Sequence, residues 1–85
     1  MDMSDIDLTV EEQTALKVLA ETCNYSEHAH RPEETILHKV QTDARGDIKK
    51  ALKSLHKRGL CIRHPTRGGM TYNITREGIT LAYRI

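Results

Sequence analysis

A chain of 85 residues forms one small domain, which excludes an enzyme built from separate cofactor and substrate domains. Hydrophobic residues make up 38% of the chain and charged residues 29%, a composition too apolar for a disordered tail and ordinary for a globular domain. The formal net charge of +1 argues at first sight against a nucleic-acid partner, but a sum conceals how charges are distributed.

The N-terminal sequence and the two cysteines indicate the cellular compartment in which the protein is expected. Residues 1–8 are acidic and polar, which predicts no signal peptide, and no apolar run approaches the ~20 residues that cross a bilayer. Cys23 and Cys61 are too few for a disulfide framework. We therefore expect a cytoplasmic protein with two free thiols.

The first elements in chain order are an acidic leader and a helix. Residues 1–7 are predicted to be a flexible leader. Thr9 and Glu12 have the spacing of a capping box, and the apolar residues that follow at helical spacing predict helix 1 over 10–23. The polar stretch 24–31 is expected to be a loop that can hold a short strand.

Two further helices are predicted after this loop. Pro32 suits a first helical position, and the apolar residues after it predict helix 2 over about 32–41. Helix 3 is expected over about 43–58, and Thr42 or Asp43 is its predicted N-cap.

A hairpin and a last helix complete the chain. After Gly59, which suits a left-handed helix end, apolar residues alternate with polar ones. This alternation predicts a β-hairpin over about 60–74, with the basic tip Arg67-Gly68-Gly69. Thr75 is the predicted N-cap of a short C-terminal helix.

This order of elements predicts an α+β fold that is mostly α, with residues 8–85 as a single domain. The predicted helices 2 and 3 are joined by one or two residues, which forces a sharp angle and is typical of a helix-turn-helix. The hairpin directly after helix 3 adds a wing. The expected architecture is therefore a winged helix-turn-helix with three helices, a β-hairpin wing and a short C-terminal helix.

The charges divide between the two halves of the chain. Residues 1–43 contain ten acidic and three basic residues, a balance of −7, whereas residues 44–85 contain ten basic and two acidic residues, a balance of +8. Helix 3 carries an apolar stripe of Ile48, Leu52 and Leu55. The residues that face away from this stripe are mostly lysines: Gly46, Lys50, Lys53 and Lys57, with Lys49 on the flank.

Lysines that share one helical face can neutralise phosphates, and the release of counterions then drives binding. An α-helix fits the major groove of DNA, and a narrow hairpin tip can reach an adjacent minor groove. The alternative is a solvated lysine face, where acidic residues three or four positions away usually form ion pairs. Only Asp47 interrupts the basic run, which favours nucleic-acid binding.

A set of apolar, glycine and threonine residues in a fixed order provides a second argument for this fold and function. They are Ile48, Ala51, Leu52, Leu55, Gly59 and Leu60, followed by Gly68, Gly69, Tyr72, Ile74, Thr75 and Gly78. In this order and spacing they resemble the winged helix-turn-helix transcription regulators of the broad MarR/ArsR/PadR-like kind. The resemblance covers most of residues 32–82.

The resemblance implies that the first turns of helix 3 contact bases or phosphates in the major groove. The matching positions are Arg45, Lys49, Lys50 and Lys53. Arg45 is the expected base reader, because a guanidinium can bind guanine through two hydrogen bonds, whereas lysines position a protein on the backbone. The wing match places Arg63, Thr66 and Arg67 near the minor groove or its phosphates.

The sequence differs from this family in three respects. No clear strand is visible between helices 1 and 2. His38 and Lys39 stand where many members carry small or acidic residues. Long dimerisation helices after the last helix are missing, so effector sensing and the mode of dimerisation stay open.

Metal and catalytic chemistry are not expected. Cys23, His28 and His30 form a C-x4-H-x-H run, but zinc sites normally contain a C-x2-C pair, which this sequence lacks. The cysteines are interpreted as small core residues and the histidines as surface residues. Since no catalytic serine motif, phosphate loop or dinucleotide fingerprint is present, we expect no enzyme, no cofactor and no metal.

The leading hypothesis is double-stranded DNA binding in transcriptional regulation. Its candidate residues are Arg45, Gly46, Lys49, Lys50, Lys53, Lys57, Arg63, Thr66 and Arg67. The alternative is a winged-helix protein–protein interaction module without direct DNA binding, which docks helix 1, Glu33 and Glu34 onto a basic partner. RNA is less favoured, because the three tyrosines do not form a stacking platform. The apolar C-terminal helix, with Ile79, Ala82, Tyr83 and Ile85, either packs on helix 1 or forms a homodimer contact.

Overall fold

A computed structural model describes residues 7–85 as an α+β fold that is mostly helical. Within these residues there are four α-helices and one three-stranded antiparallel sheet. The elements are α1 (Val10–Thr22), β1 (Arg31–Pro32), α2 (Glu33–Leu37), a 3₁₀ turn (Thr42–Ala44), α3 (Arg45–Lys57), β2 (Cys61–Thr66), β3 (Gly69–Ile74) and α4 (Arg76–Ala82). Apart from Asp7, the predicted leader lies outside the described residues.

The predicted N-caps of α1 and α4 are confirmed. The Thr9 hydroxyl accepts from the Glu12 backbone N–H at 3.1 Å, and the Glu12 carboxylate accepts from the Thr9 N–H at 3.0 Å, which completes the capping box. The Thr75 hydroxyl likewise accepts from the Gly78 N–H at 3.1 Å. These short polar contacts satisfy backbone donors that the first turn of a helix leaves free.

The predicted start and end of helix 2 are wrong. Pro32 has an extended backbone with ψ of 143°, because it pairs with Thr71 across the sheet, so the helix begins one residue later. It ends at Leu37 rather than near residue 41, and the chain continues in turns to Val40. The connection to α3 is therefore seven residues, 38–44, and not one or two.

The predicted cap of helix 3 is also wrong. Thr42 and Asp43 lie inside the 3₁₀ turn, whereas a capping residue needs an extended backbone. Gln41 has that backbone, with ψ of 147°, and its carbonyl accepts from the Ala44 N–H at 2.9 Å. The α-helix proper starts at Arg45, and its far end is followed by Gly59 with φ of +77°, as predicted.

The sheet contains the predicted hairpin and one further strand. Strands β2 and β3 pair in antiparallel register from Cys61 opposite Ile74 to Thr66 opposite Gly69. The additional strand β1 pairs with the other edge of β3, which gives the order β1-β3-β2. The sequence therefore does contain a strand between helices 1 and 2, but two residues are too few to show a period of 2.

The core lies between α1, α3, the sheet and α4. The inner faces of α1 and α3 contribute fully buried leucines such as Leu16, Leu19 and Leu52. Cys23 and Cys61 are buried in the same cluster, which confirms their interpretation as core residues. The C-terminal apolar residues divide: Ile79 and Ala82 pack on the core, while Tyr83 and Ile85 are exposed.

The helices of the described part of the chain are short. The longest contain 13 residues, and none is long and apolar enough to cross a membrane.

Candidate nucleic-acid interface

The lysine face of α3 is exposed as the sequence predicts. Ile48, Leu52 and Leu55 are buried against the core and hold the helix in one orientation. The residues on the opposite side are all exposed: Gly46, Lys50, Lys53 and Lys57, with Lys49 beside them. No carboxylate of residues 7–85 lies within 4 Å of the ammonium groups of Lys50, Lys53 or Lys57. This face therefore presents positive charge that the described part of the chain does not neutralise by direct pairing.

A polar network joins α2, α3 and the hairpin. The Tyr72 hydroxyl donates to the Glu33 carboxylate at 3.0 Å and accepts from the Arg63 guanidinium at 3.2 Å. The same Glu33 carboxylate lies 3.7 Å from the Lys49 ammonium. Two candidate residues from different elements, Lys49 and Arg63, are thus brought together by one acid and one tyrosine.

Tyr72 is the buried member of this network. Burial raises the pKa of its hydroxyl to about 12, with the neighbouring Glu33 acting in the same direction and Arg63 opposing it. The hydroxyl therefore keeps its proton at neutral pH and remains a hydrogen-bond donor. Sequence reasoning treats Tyr72 only as a strand residue, because nothing local shows that its hydroxyl meets Glu33 some 39 positions away.

Arg45, the predicted base reader, has a structural contact. Its Nε donates to the Leu37 carbonyl at 2.9 Å, and the residue is half-buried. The contact satisfies a carbonyl at the end of α2 and fixes the position of α2 relative to the start of α3. That Arg45 reads bases stays a prediction, and the hydrogen bond to Leu37 restricts the positions that its side chain can take.

The hairpin tip is exposed at Thr66, Arg67 and Gly68. The Thr66 hydroxyl donates to the Gly69 carbonyl at 2.7 Å and closes the turn. Gly69 has φ of +128°, a conformation that disfavours any side chain. Thr66 therefore shapes the tip, while Arg67 is its exposed cation.

A second ion pair holds α1 against α3. The Arg58 Nε donates to the Glu12 carboxylate at 2.9 Å, and the Ser54 hydroxyl donates to the same oxygen at 2.6 Å. Burial raises the pKa of Glu12, but the hydrogen bonds from Ser54, Thr9 and Arg58 outweigh it, so the pKa lies below the ordinary value. Arg58 therefore holds α1 against the end of α3. Its position in the basic run of the sequence does not distinguish it from the exposed lysines.

The residues weighed as metal ligands do not converge. The buried Cys23 thiol donates to the Ala29 carbonyl at 3.7 Å, whereas His28 and His30 are exposed. Burial raises the pKa of the Cys23 thiol, and it raises the pKa of the Cys61 thiol to about 12. Among residues 7–85 no group of three or more histidine, cysteine, aspartate or glutamate side chains could hold a metal ion.

Comparison with known proteins adds no relative. No family model, curated protein or solved structure matches this chain. A functional assignment therefore depends on the geometry and charge of α3 and the hairpin.

Proposed function

We propose that this chain is a winged helix-turn-helix protein that binds double-stranded DNA and regulates transcription. In this proposal α3 enters the major groove, and the β2–β3 hairpin contacts the backbone or the adjacent minor groove. The observation that carries the proposal is the exposed lysine face of α3, whose orientation is set by the buried stripe on the opposite side.

The order and contacts of the elements support this proposal. The helix α2, the turn at 38–44 and α3 are followed directly by a hairpin, and the contacts of Glu33 with Lys49 and Tyr72 link α2, α3 and the hairpin. This linkage holds Lys49 and Arg63 as one surface rather than as independent side chains. Phosphates of one DNA duplex could then meet the helix and the hairpin together.

The alternative, a protein-interaction module with an acidic docking surface, is less well supported. Its docking surface comprises helix 1, Glu33 and Glu34. Glu34 is exposed, but Glu33 accepts from Tyr72 and pairs with Lys49, and its side chain is only 16% exposed. One of the two glutamates of that surface is therefore engaged within the domain.

The proposal is tested by reversing two charges on the lysine face. Lys50→Glu combined with Lys53→Glu should weaken binding of a fluorescent 20-base-pair duplex at least about 100-fold at low salt, because two phosphate contacts become repulsive. Fluorescence anisotropy measures the affinity, and circular dichroism verifies that the variant is folded.

A matched control changes the net charge equally at another place. Arg76→Glu with Arg84→Glu alters exposed residues on and after α4, and it should reduce affinity far less. Equal losses in the two double variants would mean that only net charge matters and would contradict the groove assignment. Binding that is the same in wild type and Lys50→Glu/Lys53→Glu would contradict it directly.

A further experiment tests regulation rather than binding alone. Selection of bound duplexes from a random pool should enrich a defined sequence, since a regulator must distinguish its site from bulk DNA. Recovery of unenriched sequences would limit the protein to non-specific DNA binding.

A further inference from the structure

We propose that Asp47 is a specificity-determining residue of the DNA surface, and that its carboxylate accepts a hydrogen bond from the N4 amino group of a cytosine in the major groove. This inference rests on the proposed function, because it assigns a role within the same surface of α3. A surface of lysines alone predicts no such base preference, whereas a carboxylate in the groove requires a base that donates.

Asp47 interrupts an otherwise basic helix. The helix α3 contains this one acidic residue among four lysines and one arginine. The Asp47 side chain is exposed, and about 60° of rotation around the helix separates it from Lys50. Asp47 therefore lies on the half of α3 that faces away from the buried stripe of Ile48, Leu52 and Leu55.

The described part of the chain does not neutralise the Asp47 carboxylate by direct pairing. No lysine, arginine or histidine nitrogen of residues 7–85 lies within 4 Å of it. Lys50, Arg58 and Glu11 line the same cleft between α1 and α3 as Asp47. Arg58 donates there to Glu12, and Glu11 adds a second negative charge. The charge of Asp47 therefore remains available at the surface.

Helix α1 shows the structural role that an acid at this position can have. Glu12 is the third residue of α1, as Asp47 is of α3. Glu12 is buried and completes a capping box with Thr9. The N-cap residue of α3 is instead Ala44, whose backbone N–H donates to the Gln41 carbonyl at 2.9 Å. Asp47 thus completes no capping box, and its favourable interaction with the helix dipole is one that any first-turn acid has.

The other residues of the first turn leave Asp47 open to a base. The Arg45 Nε donates to the Leu37 carbonyl at 2.9 Å. Gly46 has no side chain, and a Cβ there would have no atom within 4 Å. Of the two charged side chains in this turn, that of Arg45 is engaged with the end of α2, whereas that of Asp47 is exposed.

A carboxylate in the major groove selects bases by their donors. An ionised carboxylate only accepts hydrogen bonds, so phosphates and the acceptor edges of guanine and thymine repel it. Cytosine presents only its N4 amino donor, while adenine places the N7 acceptor beside its amino group. Asp47 therefore lowers the affinity for most sequences and favours those in which a cytosine meets the helix. This is specificity through unfavourable contacts with the wrong sites.

Selection of bound duplexes from a random pool tests the role of Asp47. The wild-type chain should enrich cytosine at one position, and Asp47→Ala should lose the preference at that position alone. Asp47→Asn should change the preference to adenine, because an amide matches both the N6 donor and the N7 acceptor. Glu77→Ala, which removes an exposed acid from the first turn of α4, should select the same sequence as wild type.

Fluorescence anisotropy measures the size of the preference. Replacement of the selected C·G pair by T·A should weaken wild-type binding about 10-fold or more, and it should change the affinity of Asp47→Ala less than about 2-fold. For a duplex of arbitrary sequence, Asp47→Ala should bind about 2- to 5-fold more tightly than wild type at low salt, since one repulsion of phosphate is lost. Circular dichroism verifies that each variant is folded.

The possible outcomes distinguish the role of Asp47 from DNA binding itself. A wild-type chain that binds no duplex would contradict both. A wild-type chain that binds duplexes without enriching cytosine would overturn the role of Asp47 and leave DNA binding in place, as would an Asp47→Ala variant that keeps the cytosine preference. Loss of the whole selected sequence in Asp47→Ala would show that Asp47 acts through the structure of α3 and would also overturn the base contact.

Discussion

Glu33 contacts residues of both elements that form the proposed DNA surface, Lys49 on α3 and Tyr72 on the hairpin. Its carboxylate accepts from Tyr72 and lies 3.7 Å from the Lys49 ammonium, so it orders that surface and also removes part of its positive charge. A DNA phosphate would compete with Glu33 for Lys49. If the proposed function is correct, Glu33 therefore lowers the affinity for DNA while it fixes the geometry of this surface.

Substitution of Glu33→Gln separates these two effects. The amide oxygen can still accept from Tyr72, while the negative charge is lost. We expect the affinity for a duplex of arbitrary sequence to rise about 3- to 10-fold at low salt, because Lys49 is released to meet phosphate. Fluorescence anisotropy measures this change. Glu34→Gln, an exposed neighbour with the same change in charge, should raise affinity less; equal effects would count against a specific role for Glu33.

Glu12 determines how the domain responds to acid. Because its pKa is lowered in the folded protein, the ionised carboxylate stabilises the fold above the ordinary pKa of 4.5. This contribution is lost as pH falls through the lowered pKa. Glu12→Gln should reduce the free energy of unfolding by about 1–2 kcal/mol at pH 7, an amount moderated by the partial exposure of Arg58.

Urea denaturation at several pH values measures the effect of Glu12→Gln. The difference from wild type should be constant near neutral pH and should shrink as pH falls below 4.5 towards and through the lowered pKa. Glu21→Gln, at an exposed position of the same helix, should alter stability little at any pH. A difference that grows in acid would contradict the assigned direction of the pKa shift.

At the scale of elements, the join between the hairpin and α4 depends on close backbone packing. Gly78 is buried in the first turn of α4, and a Cβ there would collide with the Leu60 carbonyl oxygen and with the Ile74 side chain. Leu60 also accepts from the Thr75 N–H at 3.2 Å, so its carbonyl cannot move freely. Glycine is therefore required by packing at a helical position where it lowers intrinsic helix propensity.

Two glycine substitutions distinguish packing from propensity. Gly78→Ala should destabilise the domain by at least about 2 kcal/mol, because the collision involves backbone and outweighs the propensity gain. Gly46 lies in α3, and a Cβ there would have no atom within 4 Å. Gly46→Ala should therefore stabilise the domain by up to about 1 kcal/mol. Thermal unfolding compares the two; stabilisation by Gly78→Ala would show that the contact can relax.

At the scale of the whole molecule, the net charge of +1 is a cancellation between an acidic and a basic half. The basic half contributes α3 and the hairpin, which carry the exposed lysine face and the tip. The formal net charge therefore understates the positive charge on the proposed DNA surface.

The charge division predicts strong salt dependence. If about four or five side chains of the proposed surface meet phosphates, log Kobs should fall with log salt at a slope of about −4. Affinity would then drop more than about 100-fold between 50 and 200 mM salt. Anisotropy titrations measure the slope, which should become shallower by about 2 in Lys50→Glu/Lys53→Glu. A slope near zero would exclude phosphate neutralisation as the driving force.

The sequence by itself determined those features that depend on local chemistry. Capping residues Thr9 and Thr75, the period of α3 and the alternation of the hairpin predicted α1, α4, α3 and the β2–β3 hairpin, because each uses contacts within a few residues. The lysine face follows from the same helical period. Its exposure required only that the stripe opposite it be buried.

Tertiary structure alone decided the features that join distant residues. Strand β1 forms, and α2 begins after Pro32, because Arg31 and Pro32 pair with β3, and no local pattern encodes that partner. The contacts of Glu33 with Tyr72 and of Glu12 with Arg58 span 39 and 46 positions, so a cation in the sequence shows neither its partner nor its exposure. Folding thus separates the cations that hold the domain together from those that remain available to a partner.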